Sequence, residues 1–365
     1  METLTDSPHV PWDIIINILS RLPAKSLIRF RCVCKSWQTL ISDPTFIDTH
    51  YNQTRANNKG CVLMRRPYGG GDFSLLCDET FVEHTRLELP FDNSPFERRL
   101  VVEGYCDGLI CFSSVGGFPR CKGNIYLWNP AVRKLKTLPS PLLPCGDFSL
   151  PYLTFCFLPH RNDYRVIKFS GAFPPNVKIY SLRTNSRKEI PNVVPCKIYA
   201  FRTDSVLNGV VHWVAAFVKE DKGYESILSF DMVNEVFEEI KLPECCRGEH
   251  LGYSVMVLKE SLSLFVGFQE EEDGRVDIWV MKEYGVAESW SKQFTLSWCV
   301  NYFCPLGFMK NGEVVLRYKG DDENKLVSCD PRVQQGKELG MYGIPNSVDV
   351  FTYCLETLVL LNEGN

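Results

Sequence analysis

The sequence predicts an α+β multi-domain chain, with a short all-helical unit over residues 4–50 and an all-β domain over 61–365 built as a ring of small sheets. Three patterns carry that expectation. Apolar residues recur at helical spacing before residue 45, strand-turn-strand units return about every fifty residues after residue 60, and a second series of tight turns falls between those units.

The helical unit reads in three steps. In "VPWDIIINILSRLPAKSLIRF", Ile14, Ile15, Ile18, Leu19 and Leu22 recur at helical spacing, Pro11 suits a first turn and Asp13 suits the positive end of the helix dipole, so a helix is expected over about 11–20. Pro23 opens a second helix over about 24–31, in which Leu27 and Phe30 lie three residues apart on one face. Val33, Cys34, Trp37, Leu40 and Ile41 continue the spacing into a third helix, with Asp43-Pro44 read as its stop and residues 51–60 as a linker. A bundle of about forty residues hides only part of its surface, so its many apolar side chains need a cover. Either the rest of the chain or another polypeptide supplies it.

The β domain reads from its repeats. "FSLLCDETFVEHTRLELP" (73–90), "IYLWNPAVRKLKTLP" (125–139), "VKIYSLRTNSRKEIP" (177–191), "ILSFDMVNEVFEEIKLP" (227–243), "VDIWVMKEYGVAESWSKQFTL" (276–296) and "KLVSCDPRVQQGKELGMYGIP" (325–345) are each a strand, a polar turn and a second strand. Pro90, Pro139, Pro191, Pro243 and Pro345 lie 49, 52, 52 and 102 residues apart, the last gap spanning two periods. Between them, "GYCDGLICF" (104–112), "DYRVIKF" (163–169), "LNGVVHWVAAF" (207–217), "LKESLSLFVGF" (258–268), "KNGEVVLRY" (310–318) and "CLETLVLLN" (354–362) add a second hairpin per period, several on Asp-Gly or Asn-Gly turns. Two hairpins per fifty residues make one four-stranded blade, and six such blades make a β-propeller, closed by pairing C-terminal strands with the N-terminal hairpin. A β-sandwich of similar strand density needs no such period.

Composition excludes several classes. A net charge of −4 gives no basic field; Arg21, Lys25, Arg29, Arg31 and Lys35 put five cations and no acid into residues 21–35, as a DNA-reading helix pair does, but nucleic acid is not the expected partner. No secretory leader and no run of eighteen apolar residues is present, which points to a cytoplasmic and/or nuclear protein without a membrane partner. The sixteen cysteines then read as reduced thiols, mostly small core hydrophobes, with the vicinal Cys245-Cys246 pair in a loop. His9, His50, His84, His160, His212 and His250 are scattered, so no metal site or cofactor is expected, and His212 in its apolar strand reads as a satisfied core histidine. "YGGGDF" (68–73) lacks the Lys-Ser/Thr of a phosphate loop, there is no Gly-x-Ser-x-Gly elbow, and the acidic runs 270–273 and 321–323 read as solvated turns. No catalytic residue can be named.

The helical unit resembles an F-box, the module by which adaptor proteins bind the Skp1-type linker of cullin-RING ubiquitin ligases. The likeness rests on Pro11, the Ile14-Ile15 and Ile18-Leu19 pairs, "SRLPAKSL" (20–27), "RFRCVCKSW" (29–37) and "LISDPTF" (40–46); the family opens on Leu-Pro and an acid, where this chain has Val10-Pro11-Trp12-Asp13. The repeats resemble the F-box-associated domain of plants, as in S-locus and defence-regulating F-box proteins, through "GYCDGLICF", "IYLWNPAVRKLKTLP" and "VDIWVMKEY". The resemblance implies a non-catalytic substrate adaptor whose partners are the Skp1-type linker, through it cullin and RING subunits, and an unknown target protein. It places Pro11, Ile14, Ile15, Ile18, Leu19, Leu22, Pro23, Leu27, Phe30, Val33, Cys34, Trp37, Leu40 and Ile41 at the linker. Loops 92–99, 113–123, 140–150 and 268–275 are the expected target contacts. A stand-alone propeller that binds a protein or sugar without a ligase is the alternative.

Overall fold

The computed structural model describes residues 10–57, 61–65, 73–77, 79–87, 89, 99–116, 121–139, 152–158, 161–169, 175–191, 196–198, 205–219, 222–246, 250, 252–269, 274–297, 304–309, 311–319, 323–342, 351–353 and 356–359. Four helices come first: α1 (Trp12–Leu19), α2 (Ala24–Phe30), α3 (Lys35–Ser42) and α4 (Pro44–Asn57). The fourth corrects the three-helix expectation. Asp43 ends α3 in an extended conformation, and its Oδ1 accepts from the amides of Thr45 (2.9 Å) and Phe46 (3.3 Å). Asp at the cap and Pro at the first position are what a helix start requires, so the dipeptide that stops α3 also begins α4. The expected boundary at residue 50 falls inside α4, and residues 51–57 of the expected linker are helical.

The strands then follow in fours: β1 (Cys61–Arg65), β2 (Phe73–Cys77) and β3 (Glu83–Leu87); β4 (Arg99–Cys106), β5 (Leu109–Gly116), β6 (Cys121–Asn129) and β7 (Lys134–Thr137); β8 (Tyr152–Leu158), β9 (Asp163–Phe169), β10 (Val177–Ser181) and β11 (Ser186–Ile190). The fourth blade holds β12 (Cys196–Ile198), β13 (Val206–Leu207), β14 (Val210–Lys219), β15 (Lys222–Asp231) and β16 (Val236–Ile240). The fifth holds β17 (Gly252–Leu258), β18 (Ser261–Gln269), β19 (Gly274–Met281) and β20 (Trp290–Leu296), and the sixth β21 (Cys304–Phe308), β22 (Val314–Lys319), β23 (Asn324–Asp330) and β24 (Gln335–Tyr342). Finally β25 (Phe351–Tyr353) pairs antiparallel with β1, Val62 opposite Thr352, and completes the first blade in the order β25-β1-β2-β3. The ring closes as expected, with one change. The segment 354–362, read as a strand, runs Glu356–Val359 as irregular chain with Thr357 and Leu358 buried; 354–355 and 360–362 lie outside the described residues.

Six apolar clusters show why a ring is the stable form. Each spans two neighbouring blades: Phe73 with Phe112, Leu109 with Phe155, Phe169 with Trp213, Val214 with Leu264, Phe265 with Val314, and Leu326 with Val62. No blade covers both of its faces alone, so closure buries the last pair.

Four of the outer hairpins share one five-residue turn. Asn129, Ser181, Asp231 and Asp330 begin it, and Arg133, Asn185, Glu235 and Gln334 end it at positive φ. The first side chain caps the turn: Asn129 Oδ1 accepts from Ala131 N (3.0 Å), Asp231 Oδ1 from Val233 N (2.7 Å) and Asp330 Oδ1 from Arg332 N (2.9 Å). The Asp107-Gly108 and Asn208-Gly209 turns hold positive φ at both residues, as two-residue hairpins need.

Antiparallel order fixes the two ends of the ring. The turns β4–β5 and β6–β7 lie at the end where β1 begins and β25 finishes, so the helices attach there. The strand ends bounding the four expected target loops, Leu87 and Arg99, Gly116 and Cys121, Thr137 and Tyr152, and Gln269 and Gly274, lie at the other end. Most of those loops (90–98, 117–120, 140–151 and 270–273) lie outside the described residues.

Candidate functional site

The helical unit is built around two stripes of α1. Ile15, Ile16 and Leu19 turn inward; Pro11, Ile14 and Ile18, at i, i+3 and i+7, turn outward. Leu19, Ala24, Leu27, Ile41 and Phe46 form the buried centre, and Leu22, Ile28, Phe30, Trp37, Leu40 and Ile47 pack around it half-buried. Phe30 and Trp37 meet edge to face at 5.3 Å. His50 of α4 reaches under the break between α1 and α2, where its Nε2 donates to the Leu22 carbonyl at 2.9 Å. Burial pushes the pKa of that imidazole down.

The fourteen residues expected at the linker therefore divide. Leu19, Leu27 and Ile41 are buried within this chain and hold the bundle together, so they offer no surface to a partner. Ile15, Leu22, Phe30, Trp37 and Leu40 are half-buried. Pro11, Ile14, Ile18, Pro23, Val33 and Cys34 are exposed, with Ile14 at 47%, Ile18 at 55% and Val33 at 64%. Val10 and Trp12 lie beside them. Five of the eleven large exposed hydrophobic side chains among the described residues fall within residues 10–33. That is a denser run of exposed apolar residues than the rest of the described exterior carries. Arg21, Lys25, Arg29 and Lys35 are exposed in or next to the same stretch of chain.

Part of the cover comes from the chain itself. Leu358, only 1% exposed, completes the centre of the bundle, and Ala131 of the β6–β7 turn packs against the same cluster. Sequence reasoning missed Leu358, together with Asn129, Tyr51 and Glu356, whose hydrogen bonds link the helices, the β turns and residues 356–359. The signal available was the spacing of Leu355, Leu358 and Val359 at i, i+3 and i+4 inside a short apolar run that reads equally as a strand.

Several buried ionisable groups among the propeller's described residues have structural roles. His212 is fully buried in β14; its Nδ1 donates to the Ser205 carbonyl (2.9 Å), which leaves Nε2 to accept from Tyr284 Oη (2.8 Å). Desolvation brings its pKa down to about 4, so it is a neutral, satisfied core residue. Arg165 pairs with Asp163 (3.1 Å) and reaches Glu235 (3.4 Å), joining the third and fourth blades. Cys156 and Cys196 pack in the apolar clusters, where burial pushes the Cys156 thiol up to about 12, and Cys245-Cys246 form a single 3₁₀ turn with Glu244. Among the described residues no three His, Cys, Asp or Glu side chains are grouped to hold a metal ion.

Comparison with known proteins agrees with this division. A family model described as "F-box domain" matches residues 8–49, and one described as "F-box associated beta propeller domain" matches residues 73–350. F-box protein CPR1 of Arabidopsis thaliana is 29% identical, with 98% of this chain and 90% of that protein covered. An F-box/kelch-repeat protein of the same plant, At3g23880, is 29% identical over 85% of each chain, and its F-box protein At3g07870 is 27% identical over 92% of this chain and 88% of its own.

Proposed function

Because this chain belongs to the F-box proteins that carry an F-box associated beta propeller domain, we propose that it is the substrate-recognition adaptor of an SCF-type (Skp1-cullin-F-box) ubiquitin ligase. The helical module docks a Skp1-type linker through Pro11, Ile14, Ile18, Val33 and Cys34, and the propeller holds a target protein for ubiquitination. The F-box and the F-box relatives support an adaptor role of this kind in general. The observation that carries the finer reading is the exposed apolar surface of residues 10–33. Burying such a surface stabilises association in proportion to the apolar area removed from water. The cations Arg21, Lys25, Arg29 and Lys35 favour an acidic partner and fix its register.

The target binds at the end of the ring away from the helices, where the inter-blade connections leave the strands. That end is free of the module, so both partners can be held at once. The chain contributes no catalytic group: holding a target near the charged ubiquitin carrier raises its effective concentration, while other subunits transfer ubiquitin. The assembly works in the cytoplasm and/or nucleus.

Co-expression of the full chain with a Skp1-type linker, followed by size-exclusion chromatography, tests the reading. A stoichiometric complex is expected. A folded chain that elutes alone beside free linker would leave only a stand-alone binding propeller.

A further inference from the structure

We propose that Glu356–Val359 is a strap: it completes the core of the helical module and locks the module onto the second blade, so the module becomes rigid only once the ring has closed. On one side the strap enters the helices. Leu358 lies among Leu19, Ala24, Leu27, Ile41 and Phe46, and Glu356 Oε2 accepts from the Ala24 amide at 3.0 Å. That amide is the first of α2, where Pro23 provides no side-chain cap, so the carboxylate satisfies a donor the helix leaves open.

On the other side the strap is held by the propeller. Asn129 Nδ2 donates to the carbonyls of Thr357 (3.0 Å) and Val359 (2.9 Å), while its Oδ1 caps the β6–β7 turn. The corresponding turns begin with Ser181, Asp231 and Asp330, none of which carries an amide donor. A side chain that caps with oxygen and donates with nitrogen must be Asn or Gln, and Asn is the shorter fit to this turn. The adjacent β4–β5 turn also makes room for the strap. A Cβ at Gly108 would stand 2.5 Å from Thr357 Cγ2, whereas at the equivalent Gly209 it meets only Leu158 Cδ2 at 3.1 Å. Tyr51 of α4 adds a direct tie, its hydroxyl donating to Asp107 Oδ1.

Chain order gives the arrangement a consequence. The helices are made first, yet Leu358 follows β25, the strand that closes the ring against β1. A closed propeller therefore brings the last core residue to the module, and an unfinished or open one withholds it. The further step, that only a strapped module presents its apolar surface in fixed orientation to a linker, rests on the adaptor reading above.

Hydrogen exchange followed by mass spectrometry on the full chain tests the strap without any partner. Asn129→Asp keeps the turn cap, as Asp231 and Asp330 do, and removes both strap bonds; Leu358→Ala empties the core position. Peptides from residues 12–57 are expected to exchange at least tenfold faster in both variants, while blades three to six keep wild-type protection. Wild-type exchange of residues 12–57 in Asn129→Asp, or equal loosening of blades three to six, would overturn the proposal, and this variant suffices if Leu358→Ala fails to fold. A wild-type chain that binds no linker but loosens on Asn129→Asp would sink the adaptor reading and leave the strap standing.

Discussion

Ile14 and Ile18 offer a direct measure of what the exposed stripe contributes. Full burial of an isoleucine side chain stabilises by roughly 1.5–3 kcal/mol. These two already hide about half of themselves, at 47% and 55% exposure. Each therefore has about 1 kcal/mol left to gain in a contact, and the Ile14→Ala/Ile18→Ala pair should weaken linker binding by about 2 kcal/mol, roughly thirtyfold in Kd. The free chain should tolerate the change, since solvent-facing substitutions stay within about 0.5 kcal/mol and alanine is the better helix former. Calorimetric titration of a Skp1-type linker into wild type and variant reads the first number, and urea unfolding reads the second. Binding within about twofold of wild type, with stability unchanged, would show that this stripe is not the docking surface and would refute the reasoning.

Other outcomes follow from the buried groups. Leu27→Ala should destabilise the module by roughly 2–5 kcal/mol because Leu27 is fully buried; loss of linker binding in that variant would accompany unfolding of residues 12–57, seen by circular dichroism. His212 has a folded pKa of about 4 against an ordinary 6.5, so the native chain resists a proton that the unfolded chain accepts. Its stability contribution is intact above pH 6.5 and is lost as pH falls toward 4, by about 3 kcal/mol; urea midpoints across that window should fall in wild type and fall less in His212→Gln, and equal slopes would contradict the assignment. Asp163→Ala should cost roughly 1–3 kcal/mol by taking from the buried Arg165 guanidinium the nearer of its two carboxylates and leaving the longer pair to Glu235, and the companion Arg165→Met/Asp163→Leu variant should recover part of that loss in the same unfolding assay.

The blades were legible because each rests on local chemistry. Alternating apolar residues set the strands, Asp-Gly and Asn-Gly set the two-residue turns, and the spacing of Pro90, Pro139, Pro191 and Pro243 set the period. The helices of residues 12–42 followed from their own spacing. α4 was missed because Asp43-Pro44 carries the same letters whether it ends one helix or begins another, and only the bonds from Thr45 and Phe46 distinguish the two. Leu358 was missed because a short apolar run does not say whether a sheet or a helix bundle receives it.

Sequence alone determined the ring of six blades and the helical module before it, since these depend on periodicities a few residues long and on turn residues with fixed backbone preferences; the family was legible only through the likeness of motifs such as "SRLPAKSL" and "GYCDGLICF". The apolar residues of the module were equally plain, but their division into core and surface was not. Helical spacing says which side chains share a face and is silent on what lies across from it. That was decided by contacts such as Ala24 with Glu356, 332 residues apart, which exist only when the closed ring delivers the end of the chain to its beginning.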